Sequence, residues 1–149
     1  MNTEQMMSEA LYEAKKAEAD GEVPIGAIIV ANNKIISRGY NLSIASKDPT
    51  AHAEIIAIRK AAYYLENYRL TDVSIFITLE PCAMCFGAII HSRISKVFFG
   101  AYDPKTGVCG SCVDLNKINC FNHVPEVRGG ILEKDCGDVI RSFFKSRRS

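Results

Sequence analysis

The sequence has no long apolar run. The longest stretch without a charge is twelve residues, Pro81 to Ser92, and a membrane-spanning helix needs about twenty, so no membrane partner is expected. The opening, Met1 to Glu9, is acidic and polar and lacks the basic start and apolar stretch of a secretory signal, so a cytoplasmic location is expected. There is no internal repeat, low-complexity segment or linker, which leaves residues 1–149 to be read as one domain. At 48% hydrophobic and 23% charged, the composition excludes a disordered or fibrous chain. A chain of 149 residues buries roughly 68–70% of the surface its unfolded form exposes, enough for one core.

Net charge is also scarce: eighteen Lys and Arg stand against seventeen Asp and Glu, giving +1. The sum alone argues against a nucleic-acid partner, but placement matters more than the total. Residues 1–22 hold six acids and two bases. The last nine residues hold Arg141, Lys145, Arg147 and Arg148 and no acid. An acidic first helix therefore masks a basic end.

Six cysteines are present: Cys82, Cys85, Cys109, Cys112, Cys120 and Cys136. In a cytoplasmic chain disulfides are disfavoured, which leaves metal ligation or free thiols.

Periodicity predicts a helix over 4–20, stopped by Gly21. Two short apolar runs, 25–31 and 34–40, flank Asn32-Asn33 and read as a hairpin. Asp48-Pro49-Thr50 caps a helix predicted from about Ala51 to Glu66, apolar around most of its circumference and expected to be buried on more than one side. Val73 to Leu79 is β-branched and reads as a central strand. Pro81 opens a second apolar helix to about His91. Residues 96–100 form a strand, 126–131 a last strand or turn, and 134–148 a terminal amphipathic helix. The long segment 102–124 has little periodicity, and loops of that length are often functional. Alternating strands and helices predict an α/β domain of three layers, with a mixed sheet of about five strands.

The chemistry lies in Thr50-Ala51-His52-Ala53-Glu54 and Leu79-Glu80-Pro81-Cys82-Ala83-Met84-Cys85. One His and two Cys are zinc ligands that leave the fourth tetrahedral position open to water, the pattern of a catalytic zinc. Cys82 and Cys85 are three apart and share one helix turn. His52 and Glu54 are separated by roughly 200° on a helix, so they converge only over its end. Two helix N-termini aimed at one metal favour thiolates. Glu54 is poorly placed as a ligand but well placed to move a proton from water activated by the metal.

The His-x-Glu and Pro-Cys-x-x-Cys pair resembles the zinc-dependent nucleobase deaminases of the cytidine/deoxycytidylate superfamily. Asp48 to Glu54, Asn67 to Leu70, Thr78 to Cys82, Ile90 to Ile94, Phe99 to Gly107, Asn122-His123 and Phe143 to Arg148 are similar to the bacterial tRNA-specific adenosine deaminases. The similarity runs from about Val23 to Arg148.

This resemblance implies one Zn2+ per chain on His52, Cys82 and Cys85, with Glu54 as proton shuttle. It implies that Asn41 hydrogen-bonds the flipped base and that Asp103 and Lys105 hold the flanking nucleotides. Asn122 and His123 would make further RNA contacts, with Phe144, Arg147 and Arg148 on the anticodon loop. The implied reaction converts the wobble adenosine of an arginine tRNA, in its anticodon stem-loop, to inosine, and the implied assembly is a homodimer. The chain stops at Ser149, where some relatives carry a longer basic tail, so lower nonspecific RNA affinity is expected.

Other readings compete. A deaminase of a free base or nucleoside, of guanine or cytosine type, would use the same pocket chemistry. Cys82-x-x-Cys85 and Cys109-x-x-Cys112, 23 residues apart, loosely match a structural zinc ribbon, a module without enzymatic activity, but that leaves His52 and Glu54 idle. Cys109, Cys112, Cys120 and His123 could hold a second metal, or the cysteines could be free thiols with His123 used for RNA; the latter is preferred. Asn41 could simply close a turn, and Arg147 and Arg148 could simply keep the terminus soluble. Phe143 and Phe144 cannot share a helix face, so one is expected to pack and the other to be exposed.

Overall fold

Residues 26–31 read Gly-Ala-Ile-Ile-Val-Ala, and a strand this apolar needs cover on both faces. The computed structural model, which describes residues 1–148 apart from the side chain of Arg148, provides it. Strand β1 (Gly26–Ala31) sits between β2 (Lys34–Tyr40) and β3 (Val73–Leu79), followed by β4 (Lys96–Ala101) and β5 (Glu126–Arg128), in the order β2-β1-β3-β4-β5. β1 runs antiparallel to both β2 and β3, while β3, β4 and β5 are parallel. The sheet is mixed because a hairpin starts it. Asn32 and Asn33 close that hairpin with φ of 51° and 60°, the left-handed pair that a two-residue turn requires.

Helices α1 (Thr3–Ala19) and α4 (Glu133–Arg148) cover one face, and α2 (Ala53–Leu65) and α3 (Ala83–Ser92) cover the other. Alternate residues of β1 serve each face. Ile28 and Val30 pack with Met6, Met7, Ala10 and Cys136. Ala27 and Ile29 pack with Ala53, Ala57, Ala61 and Ile89. Cys136 is a packing residue: a Cβ on Gly100 would lie 2.4 Å from its sulfur.

Several boundaries differ from the sequence-based expectation. Helix α2 begins at Ala53, not Ala51, because Asp48 folds an Asx turn on Thr50 instead of capping the helix: its Oδ1 accepts Thr50 N–H at 2.9 Å and the Thr50 hydroxyl at 2.7 Å. Helix α3 begins at Ala83, so Pro81 lies before the helix and not in its first turn. In this chain α2 buries one face, Ala53, Glu54, Ala57 and Ala61. Ile55, Ile56 and Ile58 are half-buried, and Tyr63 and Tyr64 are exposed. The last strand ends at Arg128.

Segment 102–125 joins two parallel neighbours, which need a crossover. Here the crossover contains no α-helix, only a 3-10 turn at Leu115–Lys117. No helix among the described residues is long and apolar enough to cross a membrane.

Candidate active site

Helices α2 and α3 start in the same way. His52 is the N-cap of α2 with φ −74° and ψ 158°, and Cys82 is the N-cap of α3 with φ −81° and ψ 174°. Ser, Thr, Asp or Asn usually occupies such a position and bonds back to the helix. Neither His52 nor Cys82 makes a side-chain cap bond. Both side chains point instead at a common point between the helix ends. Because His52 stands in extended backbone ahead of the helix while Glu54 lies in its first turn, the two converge despite their two-residue spacing.

Cys82 Sγ lies 3.7 Å and Cys85 Sγ 3.6 Å from His52 Nδ1, and the three donor atoms all fall within 4.8 Å of one another. A tetrahedral zinc with Zn–S about 2.3 Å and Zn–N about 2.0–2.1 Å sets neighbouring S and N donors about 3.6 Å apart. The donor set therefore fits zinc in both chemistry and spacing. The Cys85 hydrogen bond, with help from His52, holds the Cys82 thiol down to about 4. The same bond, then burial, holds the Cys85 thiol well above its usual range. The N-termini of α2 and α3 add partial positive charge that favours thiolate.

Glu54 is 4% exposed, and burial pushes its carboxyl up to about 7. A group that titrates near neutrality suits proton transfer. Asn41, at the end of β2, is buried, and its Oδ1 accepts Ala53 N–H at 2.9 Å. The asparagine thus replaces the cap that His52 does not supply.

Lys105, Phe144 and Arg147 come together in a groove of about 580 Å3, where Arg141 and Lys145 join them. The sequence places Arg141 and Lys145 in the basic end but does not assign them to a site. Their signal is spacing: Arg141 stands three residues before Phe144 and four before Lys145 on one helix, close enough to share a face. Phe143 packs and Phe144 is exposed, as the one-face argument predicts. Arg147 donates to Gly21 O at 3.0 Å and lies over the Phe143 ring, so it also ties the terminal helix to the end of α1. Arg148 falls on α4, but its side chain lies outside the described residues.

Asp103 shapes its own loop, accepting Lys105 N–H at 3.0 Å and the Thr106 hydroxyl at 2.8 Å. Asn122 is exposed. His123 Nε2 donates to Ile94 O at 2.7 Å.

Two of the competing readings fail. Among the described residues, the one group of three or more donors placed for a metal is His52, Cys82 and Cys85. Cys109 and Cys112 do not join Cys82 and Cys85 in a ribbon, and Cys109, Cys112, Cys120 and His123 do not form a second site. Cys112 and Cys120 are exposed free thiols, and Cys109 is a half-buried one.

Sequence reasoning also missed three buried carboxylates, Glu13, Glu22 and Glu80, each 2% exposed. Glu22 accepts the backbone N–H groups of Ile44 and Ala45 at 3.1 and 2.8 Å. Glu9 and Glu13 pair with Arg38. Part of the acidity of residues 1–22 is thus spent inside the molecule. Glu80 offered one signal, its place between apolar Leu79 and Pro81.

Residues 1–101 match the family model of the cytidine and deoxycytidylate deaminase zinc-binding region. The chain belongs to that family. Within it, the chain is 50% identical to the tRNA-specific adenosine deaminase of Haemophilus influenzae, over 97% of this chain and 84% of that protein. A solved structure from studies of A-to-I editing by tRNA:A34 deaminases at the wobble position superposes with a TM-score of 0.88 at 39% identity, over 91% of this chain and 98% of the other. A guanine deaminase from Bacillus subtilis matches less fully, with a TM-score of 0.66 and 42% identity over 68% of this chain and 66% of the other.

Proposed function

We propose that this chain is a tRNA adenosine deaminase that converts the wobble adenosine of an arginine tRNA to inosine. The full chain, 1–149, is read as one deaminase domain. The observation that carries the reading is the match to tRNA-specific adenosine deaminases over nearly the whole chain; a basic, aromatic groove beside the 103–107 loop supports it. RNA binding calls for both cationic and stacking groups. We further assign the chain to a homodimer acting in the cytoplasm on the anticodon stem-loop.

In this reading His52, Cys82 and Cys85 hold one Zn2+ per chain. Zinc, when bound, supplies the Lewis acidity that makes water nucleophilic at neutral pH. Glu54 takes a proton from the attacking water and delivers it to the ring nitrogen of adenine. It then carries a proton to the departing amino group, so that adenosine and water give inosine and ammonia. Asn41 orients the flipped base while its Oδ1 holds the start of α2. Asp103, Lys105, Asn122, His123, Phe144, Arg147 and Arg148 hold the surrounding RNA.

The match to a guanine deaminase supports a second reading, a deaminase of a free base. One assay separates them: the protein is incubated with an arginine-tRNA anticodon stem-loop carrying a wobble adenosine, and in parallel with guanine, cytosine and cytidine. Inosine in the RNA alone supports the first reading. Turnover of a free base overturns it in favour of the second.

A further inference from the structure

Glu80 lies two residues before Cys82, and its side chain reaches into the crossover loop. It accepts four hydrogen bonds there. Oε1 takes Asp103 N–H at 2.9 Å and the Ser111 hydroxyl, and Oε2 takes Cys109 N–H at 2.9 Å and Ser111 N–H at 3.1 Å. Gly107 presses on the same carboxyl: a Cβ there would stand 2.3 Å from Glu80 Cδ. Val108 N–H bonds the next carbonyl along, Pro81 O, at 3.0 Å. A crossover without a helix leaves backbone N–H groups that still need acceptors, and one buried carboxyl supplies them for three residues of the loop.

We infer that Glu80 is a positioning residue, a latch that holds loop 103–111 in the shape that presents Lys105 to the RNA groove. The inference rests on the tRNA reading above. A loop ordered before binding does not lose that conformational freedom when RNA arrives, so the latch acts on affinity and leaves the chemical step alone. Glutamine is nearly isosteric, but its amide N–H2 must face N–H donors, so Glu80→Gln breaks one side of the latch while keeping the volume.

The test uses the zinc-loaded full chain and an anticodon stem-loop. Losing one or two buried hydrogen bonds predicts a KM raised about tenfold in Glu80→Gln, with kcat unchanged and zinc still at one per chain. Backbone amides 103, 109 and 111 should exchange hydrogen faster, while those of β3 and α3 should not. Gly107→Ala, which pushes on the carboxyl from the loop side, should behave alike, and the double variant should be no worse than either single one. Ser111→Ala removes a single donor and gives a smaller rise in KM, which keeps the test available if Glu80→Gln does not fold. Faster loop exchange with an unchanged KM overturns the inference, and so does lost zinc with a falling kcat. A wild-type chain inert on the stem-loop would overturn the tRNA reading itself, whereas the exchange measurement reads the latch without RNA.

Discussion

Asn41 and Ala53 are joined across twelve residues: the side-chain Oδ1 of Asn41, at the end of β2, accepts the first backbone N–H of α2 at 2.9 Å. The residue assigned to the base is thus also the residue that caps the helix carrying Glu54. The two duties separate by substitution. Asn41→Asp keeps an acceptor for Ala53 and loses the amide donor, so it should keep its zinc and melting temperature while kcat/KM falls. Asn41→Ala loses the cap as well, at about 1 kcal/mol. For a chain of this size that lowers Tm by about 2–4 °C. Scanning calorimetry beside the inosine assay distinguishes the two.

Glu54 is buried and lies outside the donor group of His52, Cys82 and Cys85, and the proposed reaction gives it the proton transfer. Glu54→Ala should bind zinc and RNA with wild-type stoichiometry yet release inosine at least about 10²-fold more slowly, the scale of a lost general acid-base group. Metal analysis, a gel-shift titration and a single-turnover assay check the three parts. Wild-type turnover in this variant would remove the assigned role.

The cysteines sort by environment. Cys112 and Cys120 are exposed. Burial pushes both Cys109 and Cys136 up to about 12, so they stay as thiols and react slowly. With zinc bound, two cysteines should react fast with an alkylating reagent at pH 7.5. Removing zinc with a chelator should add Cys82, whose thiol is held down to about 4. Zinc uptake must also displace the proton retained on Cys85, so affinity should rise with pH. Mass spectrometry of alkylated protein counts the classes.

The groove beside the terminal helix should bind RNA through charge. Arg141→Ala and Lys145→Ala should each weaken stem-loop binding at low salt and make log Kd less steep against log salt, by about one unit of slope for each phosphate no longer neutralised. Arg147→Ala should do this and also loosen the terminal helix, because its guanidinium holds Gly21 O. Hydrogen exchange in α4 reads that second effect.

Much of the fold was legible from local signals. The Asn32-Asn33 hairpin, the β-branched central strand and the continuous apolar run of β1 each express short-range rules of turn chemistry and strand burial. The zinc residues were legible because their types are rare together and their spacing is local. Helix starts were less legible. The sequence around Asp48-Pro49-Thr50 satisfies local capping rules, yet α2 takes its cap from Asn41, on another element.

Residue types and spacing by themselves determined the donor set His52, Cys82 and Cys85, the choice of Glu54 as the acid proposed to carry the proton, and the mixed α/β order of elements. Tertiary structure alone decided that His52 and Cys82 both stand at helix starts that their own side chains do not cap, that Arg141 and Lys145 join Lys105, and that Glu80 turns inward to hold a loop more than twenty residues away. The physical reason is range. Periodicity and motif spacing encode what neighbours along the chain can do, whereas an acid becomes a latch only when folding buries it against backbone N–H groups that have no other acceptor.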